Sequence, residues 1–278
     1  MTTTMVMASS HKIFLVFFIT FLLFPTTQAQ TYLYHICSSN STFTADSAFQ
    51  SDRATLLSSL ASNKAIDFYS DTVVGRGDTI YGFFMCRGDD LTTCHQCVVN
   101  ATQRLPSECP ISKEAIVWYD ECLLRYSNRS FFSTVATTPR VALLNTGSVS
   151  APASFMRTVY DIMNKTADEA AKPSVGKKKY ANTTRGNFSA FQTVYCLAQC
   201  TPDLSPSDCR WCLSGAIGDL NWCCDGKQGG RVLYPSCNVR YELYPFYYQS
   251  EAPEPTPTPA IVPLPGSQGK PLTYLLRM

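Results

Sequence analysis

Histidine is scarce in this sequence, and neither sign of charge predominates. The chain of 278 residues contains 3 His, and its 23 Lys+Arg against 21 Asp+Glu give a formal net charge of +2. Binding to nucleic acid requires a strongly basic surface, and the longest basic run is the three lysines at 177–179, which we interpret as a solvated loop. The composition therefore gives no support for a nucleic-acid partner.

Long apolar runs are missing from the sequence except at its N-terminus. Residues 13–24 are apolar apart from Thr20, and residues 27–29 supply the small side chains that a signal peptidase recognises. A helix of about 12 residues spans ~18 Å, which is short of the ~30 Å hydrocarbon core of a bilayer. The pattern predicts a signal peptide over residues 1–29 and a secreted, extracellular product that begins at Gln30 and has no transmembrane segment.

Patterns for catalysis or metal binding are also missing from the sequence. No Gly-x-Ser-x-Gly motif occurs, and the two histidines after residue 29, His35 and His95, have no recognisable nucleophile partner. Zinc requires several Cys or His ligands in a reducing setting, and a glycosidase requires a carboxylate pair that no spacing selects here. We therefore predict that the protein is not an enzyme and holds no metal and no cofactor.

Cysteine, in contrast, is abundant. All 13 Cys lie after residue 29, and this density in an oxidising compartment predicts a disulfide framework. Six Asn-x-Ser/Thr sequons agree with passage through the secretory route, and we predict that they are glycosylated. The sequons lie at Asn40, Asn100, Asn128, Asn164, Asn182 and Asn187.

The same unit occurs twice along the chain. An offset of 115 residues aligns four cysteines together with flanking tyrosine and arginine residues, and slightly upstream an offset of 114 aligns Cys86 with Cys200. We predict two domains, over residues 30–140 and 141–249. The cysteines aligned at 115 are Cys94 with Cys209, Cys97 with Cys212, Cys109 with Cys224, and Cys122 with Cys237.

Each unit is predicted to mix helices and strands. Apolar residues at helical spacing predict helices over residues 47–63 and 152–170, and capping residues predict second helices that begin near Asp90 and Ser207. Runs rich in β-branched and aromatic residues predict strands at 79–85, 115–119, 122–126, 232–234 and 238–243. The predicted fold class is therefore α+β, with two tandem domains that each pack two helices on an antiparallel sheet.

Four strings of the sequence resemble the ginkbilobin-homologous, or stress-antifungal, domain. They are YGFFMCRGD at 81–89, WYDECLLRY at 118–126, CCDGKQGGRV at 223–232 and YPSCNVRYE at 234–242. The resemblance covers residues 32–249. Two such domains in tandem resemble plant cysteine-rich repeat secretory proteins and the ectodomains of cysteine-rich receptor-like kinases.

The resemblance implies a role in apoplastic defence or stress response, through binding of an extracellular glycan or another ectodomain. Six prolines between residues 251 and 265 favour polyproline II, so we predict a Pro-rich disordered tail over residues 250–278. No transmembrane helix and no kinase motif follow this segment. Two alternatives stay open: a kinase-less form of a receptor-like kinase, and an interaction module without a sugar ligand. The sequence sets no oligomeric state.

The resemblance also implies a disulfide pattern, in which the first cysteine pairs with the fifth, the second with the third and the fourth with the sixth. The second unit has Leu144 at the first position, so Cys224 loses its partner there. Cys196 and Cys223 are additional, and we expect Cys196 to pair with Cys223 or Cys224. The implied pairs are Cys37–Cys109, Cys86–Cys94, Cys97–Cys122, Cys200–Cys209 and Cys212–Cys237.

A sugar site is implied by resemblance to the mannose-binding member of the family, which uses an Asn, an Arg and a Glu. Together an amide, a guanidinium and a carboxylate can satisfy neighbouring sugar hydroxyls. The second unit has Asn145, Arg231 and Glu242 at these positions. The alternative is an exposed Arg231–Glu242 ion pair worth ~0–1 kcal/mol and no ligand. The first unit lacks the set, because it has Ser38, Ile116 and Ser127 there.

Overall fold

The structure, a computed structural model, describes residues 30–62, 69–75, 78–89, 92–172 and 181–248. The predicted signal peptide, the Pro-rich tail and the lysine run at 177–179 lie outside the described residues. Every helix in the described ranges is too short or too polar to cross a bilayer.

The first repeat folds as a five-stranded antiparallel sheet with two helices packed on one face. Its elements are β1 (Tyr32–Cys37), α1 (Ala48–Ser62), β2 (Tyr69–Val74), β3 (Ile80–Cys86), α2 (Cys94–Glu108), β4 (Ala115–Tyr119) and β5 (Cys122–Ser127). The strands lie in the order β1-β4-β5-β3-β2. β5 therefore lies at the centre of the sheet, between β4 and β3.

The second repeat has the same architecture. Its elements are β6 (Val141–Leu144), α3 (Pro152–Ala170), β7 (Ala181–Asn187), β8 (Thr193–Cys200), α4 (Pro206–Cys224), β9 (Gly229–Leu233) and β10 (Cys237–Glu242). The strands lie in the order β6-β9-β10-β8-β7, which matches the first sheet strand for strand. The predicted α+β fold of two antiparallel sheets with four helices is confirmed.

Local signals explain where α4 begins. The hydroxyl of Ser205 accepts a hydrogen bond from the backbone N–H of Asp208 at 3.1 Å, which caps the first turn. Pro206 follows at the first helical position, where its missing N–H costs no hydrogen bond. The predicted start near Ser207 is thus confirmed. The first repeat has no such cap, and α2 begins at Cys94, four residues after the predicted start.

Each repeat has its own core between its helices and its sheet, with a tyrosine from the central strand inside it. Tyr126 and Tyr241 are fully buried and occupy equivalent positions in the two repeats. The Tyr126 hydroxyl donates to Ser112 O at 3.0 Å, and the Tyr241 hydroxyl donates to Cys224 O at 2.9 Å. Both buried hydroxyls are therefore satisfied. Because the helices cover one face of each sheet, the opposite faces are available for contacts between the repeats.

Candidate functional site

The helix-free faces of the two sheets contribute to one apolar cluster, which we call the seam. Most of its buried side chains come from the first repeat, and Leu233 comes from the second. Val141 and Leu143 of β6 pack against it at its edge. The described residues as far as Tyr248 belong to one compact unit, so the seam joins the repeats into a single body. Its buried first-repeat members are Phe83, Met85, Ile116, Trp118, Leu123 and Phe131.

A cluster of charged groups borders the seam, with Asp120 at its centre. Asp120 Oδ1 accepts hydrogen bonds from Arg231 Nη1 at 2.7 Å and from Arg240 Nη1 at 2.9 Å. Asp120 Oδ2 accepts from Arg87 Nη1 at 3.2 Å. Burial raises the pKa of Asp120, but the charges of Arg240 and Arg231 outweigh burial and hold that pKa below its ordinary value. One carboxylate of the first repeat thus binds two guanidinium groups of the second.

Arg231 and Glu242, two of the three residues implied for sugar binding, take part in this cluster. They lie on neighbouring strands and on the same sheet face, since Arg231 pairs with Arg240 and Glu242 with Gly229. Glu242 is buried, and its Oε1 accepts from Arg240 Nε at 3.1 Å. The alternative expectation of an exposed Arg231–Glu242 ion pair is wrong, because Arg231 is half-buried and Glu242 is buried, and each bonds to another partner.

Asn145, the third residue of the implied set, lies just beyond β6. Its backbone N–H donates to Gly229 O at 2.9 Å, so Asn145 and Glu242 flank Gly229 on its two sides. Its side-chain Oδ1 accepts from the Gly147 N–H at 2.9 Å. The structure therefore brings the three residues to the same end of the second sheet. The amide oxygen of Asn145 and the guanidinium of Arg231 are already hydrogen-bonded to other groups of the chain.

Sequence reasoning missed Asp120, which organises this cluster. Its partners Arg231 and Arg240 lie 111 and 120 residues away, and no local pattern connects positions that far apart. One signal was available, since the offset of 115 aligns Asp120 with Pro235, and an acidic residue present in only one of two repeats indicates a role outside the repeated fold.

The disulfides of the structure hold the helices to the sheets. The five pairs implied by the resemblance are all formed, and they link a helix to a strand or the end of α2 to β1. Among the described residues, His35, Cys37 and Cys109 form the single cluster of potential metal ligands. The two sulfurs of that cluster are bonded to each other and are therefore not available as thiolates.

The three remaining cysteines differ from expectation. Cys223 and Cys224 are bonded to each other, and Cys196 is a fully buried thiol. The expected pairing of Cys196 with one of them is wrong, because the adjacent cysteines bond at the end of α4 while Cys196 is enclosed in the second core. Burial raises the pKa of the Cys196 thiol.

The asparagines of the six sequons differ in their solvent exposure. Asn40 and Asn187 are exposed. Asn164 lies within α3, where its Nδ2 donates to Tyr160 O at 2.9 Å and its Oδ1 accepts from Arg210 Nη2 at 3.2 Å. The half-buried asparagines are Asn100, Asn128, Asn164 and Asn182.

Known proteins share both repeats with this chain. The profile of a family described as salt stress response/antifungal matches residues 36–129 and 144–244. The antimicrobial ginkbilobin-2-like protein of Castanea crenata is 41% identical over 217 residues, which cover 77% of this chain and 88% of that protein. Cysteine-rich repeat secretory protein 38 of Arabidopsis thaliana is 36% identical over 231 residues, which cover 79% of this chain and 87% of that protein.

Receptor-like kinases and a solved ectodomain extend the comparison. Cysteine-rich receptor-like protein kinase 25 of Arabidopsis thaliana is 38% identical over 94% of this chain, which spans 40% of the kinase's length. The crystal structure of the tandem DUF26 ectodomain of the Arabidopsis thaliana cysteine-rich receptor-like protein PDLP8 is 26% identical, with a TM-score of 0.66 over 77% of this chain and 99% of that one. The chain therefore belongs to the salt stress response/antifungal family, as a protein with two DUF26 domains in tandem.

Proposed function

We propose that this chain is a secreted, non-enzymatic recognition protein of plant defence or stress response, which binds another extracellular domain or a glycan in the apoplast. Family membership supports the defence or stress role, since one relative is named as antimicrobial. The histidines support the absence of catalysis. His35 Nδ1 hydrogen-bonds to Tyr32 Oη at 2.6 Å, and His95 Nε2 hydrogen-bonds to Ala61 O at 3.2 Å, so one ring nitrogen of each is engaged within the chain and neither is paired with a nucleophile.

The observation that carries this proposal is a pair of exposed indole rings on α4. Trp211 is 63% exposed and Trp222 is 80% exposed, and they lie on the same helical face about three turns apart. The exposed residues that lie between them on this face are small: Ser214, Gly215 and Gly218. We call these five residues the α4 face.

Physical chemistry favours a protein partner for the α4 face. Exposed tryptophan loses the hydrophobic stabilisation that burial would give, and tryptophan is enriched among residues that dominate protein–protein binding energy. The small residues between the rings place no large side chain between them, so a side chain or strand of another extracellular domain can approach both rings. Disulfides Cys200–Cys209 and Cys212–Cys237 attach α4 to the sheet, so the face is presented in one orientation.

The experiment is a screen of the secreted protein against purified extracellular receptor domains, followed by variants of the α4 face. We expect Trp211→Ala and Trp222→Ala each to weaken binding at least tenfold, because loss of a central tryptophan removes about 2 kcal/mol or more. Phe191→Ala is the matched control, since Phe191 is 98% exposed in the β7–β8 turn. Failure to bind any receptor domain, or an equal loss with Phe191→Ala, contradicts the proposal.

A mannose-like glycan bound through Asn145, Arg231 and Glu242 is the second candidate. One observation favours it: Glu242 Oε2 is buried without a hydrogen-bond partner, and an unsatisfied carboxylate oxygen can accept from a sugar hydroxyl. The guanidinium of Arg231 is bound to Asp120, so a sugar must displace that carboxylate to reach it.

Retention on immobilised mannan tests the second candidate. If the three residues form a latent sugar site, Asp120→Asn weakens the hold on Arg231 and increases retention, and addition of Arg231→Ala abolishes it. If wild type and both variants pass through the column unretained, the three residues form a structural polar cluster only. Circular dichroism on each protein establishes that its fold is intact.

A further inference from the structure

Arg240 of the second repeat and the equivalent Arg125 of the first repeat have different hydrogen-bond partners. In the second repeat, Arg240 stacks on Phe246 with its Cζ 4.0 Å from the ring centroid. It also donates to Glu242 at 3.1 Å, to Asp120 at 2.9 Å and to the Tyr244 hydroxyl at 3.2 Å. Each of its three guanidinium nitrogens therefore has a partner within the chain.

In the first repeat, the equivalent Arg125 also stacks on a phenylalanine ring, but it lacks the hydrogen-bond acceptors that surround Arg240. Its Cζ lies 4.1 Å from the ring centroid of Phe131, which is equivalent to Phe246. The positions of Glu242 and Tyr244 are taken by Ser127 and Arg129, neither of which offers a carboxylate. Within the part of the chain that the structure describes, no residue makes a hydrogen bond or ion pair with the Arg125 guanidinium.

The two neighbouring carboxylates each use one oxygen for another partner, and Asp203 Oδ1 is buried without a hydrogen bond. Glu114 Oε1 accepts from Arg129 Nε at 3.0 Å and Nη2 at 2.6 Å, and Asp203 Oδ2 accepts from the Ser133 N–H at 2.6 Å. Burial lowers the pKa of Arg125 to about 10, which Glu114 and Asp203 only partly oppose. The guanidinium is thus a desolvated cation without a bound anion. A negatively charged ligand would offset the free-energy cost of removing this cation from water.

Beside Arg125 lies a cavity of about 210 Å³, which we call the Arg125 pocket. Its apolar walls are Ile36, Ile116 and Pro139, and the half-buried Ser38 lies at its edge. Glu114 also lines the cavity, and its Oε1 is paired with Arg129. A dry apolar cavity of about 150 Å³ is large enough for benzene, so this volume accommodates a ring with one or two attached groups. Pro139 belongs to the segment between the repeats, so the pocket lies between the first sheet and that segment.

We propose that the Arg125 pocket binds a small organic carboxylate, whose carboxylate accepts two hydrogen bonds from the Arg125 guanidinium while its apolar body lies against Ile36, Ile116 and Pro139. Arginine binds carboxylates in a bidentate fork, and the aromatic ring beneath Arg125 holds that fork in place. The ligand supplies to the first repeat the carboxylate that Glu242 supplies to the second. The site is separate from the α4 face, which belongs to the other repeat.

The test uses phenylacetate as the probe and phenylacetamide as its neutral analogue, titrated into the folded secreted protein by NMR. We expect saturable binding of phenylacetate with shifts at Ile36 and Ile116, and at least tenfold weaker binding of the amide, because the charge-assisted hydrogen bonds are lost. Equal binding of the two compounds, or no binding of phenylacetate, overturns the proposal.

Variants locate the site. Arg125→Gln removes the fork and is expected to weaken phenylacetate binding at least tenfold. Ser38→Trp places a large side chain at the edge of the pocket without changing charge and is expected to block binding even if Arg125→Gln does not fold. The control is Arg104→Gln, which removes a guanidinium that stacks on Tyr32 instead. Unchanged affinity in Arg125→Gln, or in a folded Ser38→Trp, overturns the assignment.

Discussion

Arg231 Nη1 of the second repeat donates to Asp120 Oδ1 of the first repeat at 2.7 Å, across 111 residues of sequence. This hydrogen bond gives Arg231 a structural role at the position that the family resemblance assigns to sugar recognition. It also makes the orientation of the repeats depend on a charged contact as well as on apolar packing at the seam.

We expect Asp120→Asn to lower the free energy of unfolding by about 3 kcal/mol, because it leaves the half-buried Arg231 without its carboxylate partner and Arg240 with Glu242 alone. Chemical denaturation followed by circular dichroism measures the change. The control is Asp78→Asn, whose carboxylate is exposed and pairs with Lys113, and which should cost at most about 1 kcal/mol. Equal stability of Asp120→Asn and wild type at neutral pH contradicts the structural role.

The same carboxylate predicts a pH dependence. The folded-state pKa of Asp120 lies below its ordinary value of 3.8, so the ionised form favours the folded state. This contribution is complete above the unfolded-state pKa and is lost as the pH falls through the lower folded-state pKa. The stability difference between wild type and Asp120→Asn should therefore be constant near neutral pH and shrink below about pH 4. A difference that grows on acidification contradicts the assignment.

Disulfide removal should have effects that follow loop length. Cys37–Cys109 joins residues 72 apart, and Cys86–Cys94 joins residues 8 apart. Chain-entropy reasoning gives ~4 kcal/mol for the longer loop and ~2.5 kcal/mol for the shorter one. Paired Cys→Ala variants, each compared by denaturant titration, measure the two losses. Non-reducing peptide mapping tests the connectivity first, and Cys37 linked to any cysteine other than Cys109 refutes it.

Thiol labelling should detect one cysteine, and only after unfolding. Cys196 is fully buried with a raised pKa, so neither access nor a thiolate is available in the folded state. We expect no labelling of the native protein and a single label under denaturing, non-reducing conditions, as read by intact mass. Three labels would show that Cys223 and Cys224 are not bonded to each other, and one label on the native protein would show that Cys196 is accessible.

Sequence patterns predict the helices of both repeats, the inner strands of the first sheet and two inner strands of the second, because those elements carry strong apolar patterns. The strands β1, β2, β6 and β8 were not predicted. β4 occupies the predicted residues, β5 extends one residue beyond its predicted end, and β3 and β10 are each shifted by one residue at both ends. β7 was not predicted, because Ala181–Asn187 is polar and has no strand pattern of its own. It forms through pairing with β8, a tertiary interaction that no local signal encodes.

The candidate sites were predictable only in part, for a similar reason. The positions of Arg231 and Glu242 relative to Cys237 follow from the repeat, and both lie on one sheet face as that register requires. Their partner Asp120 comes from the other repeat, and only packing of the two sheets brings it within hydrogen-bond distance. Arg125 likewise stands out only when its contacts are compared with those of Arg240.

Gly229 and Glu242 should behave as a coupled pair. A Cβ added at Gly229 would overlap Glu242 Oε2, because the two residues face each other across β9 and β10. In the first repeat the glutamate is on the other strand, since Glu114 is equivalent to Gly229 and Ser127 is equivalent to Glu242. We therefore expect Gly229→Ala to destabilise the protein by about 2 kcal/mol through overpacking at a buried site.

A double-mutant cycle separates this overlap from a general effect of losing glycine. In the background of Glu242→Ser, Gly229→Ala should cost at least about 1 kcal/mol less than in wild type, because the overlapping carboxylate is gone. Gly218→Ala is the control, since a Cβ there meets nothing within 4 Å and α4 should gain roughly 0.5–1 kcal/mol of helix propensity. Additive effects of Gly229→Ala and Glu242→Ser would mean that the glycine is not there to make room for the buried carboxylate.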